Sequence, residues 1–164
     1  MRHTKLFFEY SMDKSEVNNV MSRIEDIRDM LIESTSGLPD IQKEVKVHRY
    51  LTSTVTYDTK APNCYTMVGA LVDRHAVCQG ISLAASYLFN SVGVDAGVVC
   101  GTVDGEEANH AWNVVNIGGR NYHVDVTFDH GTYRYFNLND QALNGQRSWI
   151  PRVKCSGNMS IRPY

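Results

Sequence analysis

The segment Asn109-His110-Ala111-Trp112-Asn113-Val114-Val115-Asn116-Ile117-Gly118-Gly119-Arg120-Asn121-Tyr122-His123-Val124-Asp125 reads as a β-hairpin, and the rest of the molecule can be built around it. Two runs rich in β-branched and aromatic residues flank Gly118-Gly119, a pair suited to a two-residue hairpin turn. If that turn forms, Ile117 pairs with Arg120, Trp112 lies opposite Asp125, and His110 lies opposite Thr127. Side chains two apart share a face, so His110 and Asp125 become diagonal neighbours at roughly 7–8 Å between backbones, close enough for their side chains to hydrogen-bond. A carboxylate holding one imidazole nitrogen leaves the other free to take a proton. The placement depends on register, because a slip of one residue would part the pair. The bland reading is a His/Asp pair on a solvated sheet face.

Working outward, a strand is expected over 94–103, the hairpin strands over 110–117 and 120–128, and a further strand over 133–138. Upstream, Ile81, Ala84, Ala85, Leu88 and Phe89 mark a helix from about 78 to 90, with Gly93 past its end. Cys78 heads that helix, in Ala76-Val77-Cys78-Gln79-Gly80-Ile81-Ser82. A helix N-terminus offers free N–H groups and partial positive charge, which favour a thiolate, the reactive form. Gly80 lets backbone or substrate come close. A buried structural thiol is the bland alternative. Val17, Val20, Ile24, Ile27 and Leu31 predict a helix over 14–34, with Asp13 and Glu16 as a capping box and Gly37 and Pro39 ending it. Ile41, Val45, His48 and Leu51 predict a second over 40–55, with His48 as a satisfied core residue. Residues 4–10 read as a short strand, 58–66 as turn-rich, and 139–164 as mostly irregular. The expected fold class is α+β: N-terminal helices, with the nucleophile at a helix N-terminus, packed on an antiparallel sheet. Residues 1–164 read as a single domain.

Bulk properties exclude several function classes. With 43% hydrophobic and 21% charged residues the chain resembles ordinary globular proteins. A net charge of -2 with scattered Lys and Arg offers nothing to nucleic acid. No segment approaches the roughly 20 apolar residues of a membrane span. Leu6-Phe7-Phe8 is too short for a signal-peptide core. The chain as given therefore reads as cytoplasmic, or as a fragment of a longer secreted or surface protein. Cys64, Cys78, Cys100 and Cys155 contain no CxxC pair and are expected as free thiols. His110, His123, Asp125 and His130 match no zinc spacing, so neither a metal nor a cofactor is called for.

A cysteine at a helix start, followed by histidine and aspartate on adjacent strands, supplies nucleophile, base and orienter in order. Ala76-Val77-Cys78-Gln79-Gly80, Asn109-His110-Ala111-Trp112-Asn113-Val114-Val115 and Tyr122-His123-Val124-Asp125-Val126-Thr127-Phe128-Asp129 together resemble the transglutaminase-like superfamily, and in particular its bacterial protease-like branch. Val47-His48-Arg49-Tyr50-Leu51, Tyr57-Asp58 and Tyr135-Phe136-Asn137-Leu138-Asn139-Asp140 extend the resemblance over about 40–140. It implies a papain/transglutaminase-like core with a catalytic triad on Cys78, His110 and Asp125.

The chain departs from that pattern in places. Eukaryotic transglutaminases carry Trp directly after the nucleophile, where this chain has Gln79, and an upstream Trp for the oxyanion. Here the Cys78 backbone N–H is one expected oxyanion donor, with Tyr65 or Gln79 as candidates for the second. Ala76 and Val68 differ from the Gly and aromatic common in bacterial relatives, at positions that bear on the substrate groove. Trp112 is expected as a core or groove-wall side chain shielding His110. Asn109 and Asn113 are candidates to support the site or to pair with backbone, and His123, which shares Asp125's face, is a candidate to support the site but is expected exposed.

The resulting expectation is a cysteine-nucleophile acyl-transfer enzyme acting on amide bonds through a thioester, a protease or amidase with a peptide or protein substrate. The departures and the lack of an evident calcium loop favour water over an amine as acceptor. The alternatives are a protein-glutamine transglutaminase or a catalytically silent binding module on the same fold.

Overall fold

The structure, a computed structural model, describes residues 12–104, 109–150 and 153–157. The strand expected over 4–10 lies outside these residues. Two N-terminal helices form where the apolar spacing predicts them: α1 (Lys14–Thr35) and α2 (Asp40–Thr54). The α1 capping box is complete, with Glu16 N–H donating to Asp13 and Asp13 N–H donating to Glu16, both at 2.8 Å. Ile24 and Leu31 of α1 and Val47 and Leu51 of α2 are buried in the common core, whereas Val17 lies exposed on a first turn that outruns it.

A two-residue parallel pair follows, β1 (Thr56–Tyr57) with β2 (His75–Ala76), spanned by a π-helical turn at Gly69–Asp73. None of these was foreseen, because two-residue pairing leaves no periodicity to read. Helix α3 (Cys78–Ser91) buries Ile81, Ala84, Ala85, Leu88 and Phe89. Gly80 answers a packing need: a Cβ there would stand 2.5 Å from the Cys64 carbonyl oxygen and 2.8 Å from that of Thr66. The close approach it permits is to backbone, and Val77 N–H donates to the same Cys64 oxygen at 2.9 Å.

The main sheet is antiparallel, in the order β5-β4-β3-β6, built from β3 (Ala96–Val103), β4 (Asn109–Ile117), β5 (Arg120–Val124) and β6 (Arg147–Trp149). The hairpin register is the expected one, Ile117 opposite Arg120 through to Asn113 opposite Val124. Gly118 and Gly119 have φ of 60° and 79°, the left-handed values this turn demands. One face carries Val115, Ile117, Tyr122 and Val124 into the core under α3. Asn113 ties the two together by donating to the Ser82 carbonyl at 2.9 Å.

Three expectations need correction. The strand read over 120–128 ends at Val124, and a turn takes over. Asp125 causes this: its N–H donates to the Tyr135 carbonyl at 3.0 Å and its carboxylate accepts the Phe128 N–H at 3.1 Å. Aspartate commonly captures backbone in this way. The strand read over 133–138 is instead turns with one bridge, His123 opposite Leu138, because Asn137 adopts φ 55° and turns its amide to Glu44 at 2.9 Å. The segment read as irregular contains α4 (Asp140–Leu143), capped by Asn139, and β6 on the edge of β3.

Candidate active site

Three elements converge. The first residue of α3 is Cys78, half-buried where that helix meets the start of β4. His110 is the second residue of β4, and Asp125 stands one residue past the end of β5. His110 Nε2 donates to Asp125 Oδ2 at 2.7 Å, with both side chains buried. The same imidazole shares a side-chain hydrogen bond with the Cys78 thiol. The diagonal predicted from the hairpin count is met, although by a turn residue and not a strand residue.

Electrostatics favour a charge-separated pair. Burial pushes the Cys78 thiol up. The hydrogen bond with His110, the Ala111 and Gln79 backbone N–H groups and the His110 charge together bring it below the ordinary value. Burial likewise opposes the imidazolium, but Asp125 first and then Cys78 hold it, raising His110 to about 9. Each group thus favours the charged form of the other.

Around this centre the expectations divide. Trp112 is buried and stacks on His110, ring centroids 5.8 Å apart at 18°. Phe128 closes the other side edge-on at 4.8 Å. Gln79 contributes its backbone N–H to the sulfur, while its side chain is exposed. Tyr65 and Asn109 are exposed as well. Ala76 is buried against Gly80 and forms no groove wall, and Val68 packs on the core.

His123 is not exposed as expected but fully buried, because β6 and α4 fold over it. Its Nδ1 accepts the Trp112 indole N–H at 3.0 Å, and its Nε2 meets Asp140 Oδ1 at 3.0 Å. His123, Asp140 and Cys155 bring one potential ligand atom each within 4.8 Å of one another. Their chemistry does not suit a metal. With Nδ1 accepting from Trp112, a neutral ring must keep its proton on Nε2, and an ion there would require an imidazolate. Burial also pushes the Cys155 thiol up to about 12. The group works as a hydrogen-bonded strut that fixes Trp112 beneath His110. All four cysteines are free, as expected.

One residue at the site had no signal in the sequence. Arg147, buried on β6, donates from Nη2 to Asp125 Oδ2 at 2.7 Å, the oxygen that also receives His110. Its guanidinium lies 4.3 Å from the Phe128 ring centroid and 5.0 Å from that of Tyr135. An isolated arginine in an aperiodic segment belongs to no motif, and only the pairing of β6 with β3 brings it here.

The sequence pattern of the transglutaminase-like superfamily matches residues 29–126, more than half of the chain, and the chain belongs to that superfamily. Solved structures share the fold at low identity. A structure described as a TGase aligns at a TM-score of 0.57 and 22% identity, over 71% of this chain and 34% of its own. A candidate cysteine protease from Cytophaga hutchinsonii aligns at 0.55 and 17%, over 71% and 43%. Calcium-bound LapG from Legionella pneumophila aligns at 0.60 and 12%, over 88% and 93%. The chain thus spans less than half the length of the first two. No curated protein sequence matches it. Among the described residues, no helix is long and apolar enough to cross a membrane.

Proposed function

We propose that the chain is a cysteine-dependent acyl-transfer enzyme that hydrolyses amide bonds in peptide or protein substrates. The observation that carries this reading is one imidazole joined to a carboxylate at 2.7 Å through Nε2 while also hydrogen-bonded to the thiol at the head of α3. In this reaction Cys78 Sγ attacks the amide carbonyl carbon, and the carbonyl oxygen takes the displaced electron pair. The Cys78 backbone N–H is the proposed oxyanion donor. His110, charged by the thiol proton, gives that proton to the leaving amine as the C–N bond breaks, leaving a thioester. Water, deprotonated by His110, then adds to the thioester, releasing the acid and restoring the thiol. Asp125 keeps the ring oriented through both steps. Trp112 and Phe128 exclude solvent from the ring.

A panel of short amide and ester substrates, assayed with and without a primary amine, tests the reading. Cys78→Ala is expected to abolish turnover with the fold intact. Acid as the product in the presence of amine supports hydrolysis. An amide product would transfer the assignment to transamidation, and turnover surviving in Cys78→Ala would refute the nucleophile.

A further inference from the structure

We propose that Arg147 is a positioning residue of this site, fixing the Asp125 oxygen that receives His110 and offsetting its charge so that the thiolate–imidazolium pair forms inside a neutral surround. The inference rests on the reading of Cys78, His110 and Asp125 as the reacting site. It goes further by adding a residue that lies outside both the superfamily match, which ends at 126, and the motifs that suggested the triad.

The geometry is specific. His110 Nε2 and Arg147 Nη2 both reach Asp125 Oδ2 at 2.7 Å, while Oδ1 accepts the Phe128 N–H at 3.1 Å. The carboxylate is therefore held at both oxygens. Arg147 in turn is held flat by rings: Phe128 at 4.3 Å, Tyr135 at 5.0 Å and Trp112 at 5.8 Å from its guanidinium carbon. Two of these rings, Phe128 and Trp112, also flank His110, so one aromatic cage sets the angle of both cations on one oxygen. A planar, multiply donating guanidinium suits such a slot.

The charge has a consequence for the chemistry. With the thiol ionised, the order Arg147 plus, Asp125 minus, His110 plus, Cys78 minus alternates and sums to zero. Without Arg147 the same cluster carries one net negative charge in a buried setting. A missing positive charge disfavours the thiolate and binds the imidazolium proton more firmly. Arg147 should therefore shift the working range of the pair toward lower pH and ease proton delivery to the leaving amine. The other titratable groups near it are Tyr135, in ring contact, and His123, which feels its charge and is itself paired with Asp140.

The test needs no substrate. The rate of iodoacetamide alkylation at each cysteine is followed by mass spectrometry from pH 4 to 10, in wild type, Arg147→Met, Arg147→Lys and His110→Ala. Exposed Cys100 in the same sample serves as the internal reference. In Arg147→Met the Cys78 profile is expected to move up by about one pH unit, close to tenfold less thiolate on its rising limb, while Cys100 stays in place. In Arg147→Lys the charge remains but cannot lie flat in the cage, and about a threefold loss is expected, in the same direction. Should the Met variant fail to fold, the Lys variant decides. A folded variant with the wild-type profile at Cys78, or failure of both to fold, overturns the proposal by making Arg147 purely structural. The triad reading fails separately, if wild-type Cys78 shows no low-pH reactivity that His110→Ala removes.

Discussion

Two buried His–Asp pairs sit within one domain, and their difference separates a structural pair from the one proposed to react. His110 and Asp125 meet at 2.7 Å; His48 and Asp129 meet at 3.0 Å, with side chains at least as deeply buried. At His110 the second ring nitrogen is left for a sulfur, and the cluster borders a half-buried thiol. At His48 the Nδ1 atom is buried without a partner among the described residues, and Tyr133 and Phe136 pack on the ring at 4.9 and 5.0 Å. Asp129 spends its other oxygen on the Tyr135 N–H at 2.6 Å. The core pair thus pins the 126–138 loop, and so the backbone behind Asp125, to α2. A carboxylate and an imidazole alone are a strut; in the proposed reaction, the partner of the second nitrogen is what sets His110 apart.

Crossing the two pairs is the sharpest way to break this comparison. His110→Ala should lower Cys78 alkylation at neutral pH by on the order of tenfold, because the thiol loses the neighbouring imidazolium that favours its ionised form; Asp125 keeps its Arg147 partner, so the loss of stability should be smaller than at His48. His48→Ala should do the reverse, costing about 3 kcal/mol in denaturant unfolding because it strands a buried carboxylate, while the folded fraction keeps its Cys78 profile. Equal loss of reactivity in both variants would dissolve the distinction.

A weaker effect belongs to Glu44, one helical turn before His48. Burial pushes its carboxyl up from 4.5 to about 8, against a hydrogen bond from Asn137 that lowers it. The folded state therefore holds a proton that the unfolded chain releases. Stability from this group is fully present below about pH 4.5 and is lost as pH rises toward 8. Glu44→Gln should flatten that decline in unfolding temperatures measured between pH 5 and 9. A slope as steep as wild type would show that Glu44 is not its source.

A small change at Cys78 is expected from Trp112→Phe, which keeps the ring against His110 but removes the indole N–H from His123. A loss of about 2 kcal/mol is expected, because the buried His123 Nδ1 loses its donor and the smaller ring leaves a void, with the Cys78 alkylation profile displaced far less than by Arg147→Met. A larger displacement would mean that the strut beneath His110 tunes the site directly.

Much of this protein is written locally. The Asp13/Glu16 box, the apolar stripes of α1, α2 and α3, and the Gly118-Gly119 turn each depend on residues within a few positions, so their outcomes were legible from the chain alone. The meeting of His110 with Asp125 was legible too, because hairpin register carries one to the other across a known count, even though Asp125 abandons the strand for a turn of its own making. Tertiary structure decided what the count could not reach. His123 is buried, Arg147 meets Asp125, and Gly80 faces a carbonyl because segments far apart in the chain pack together. Such contacts are set by the whole shape of the core and by the closing of β6 on β3. A three-residue strand has too little periodicity to announce where it will dock.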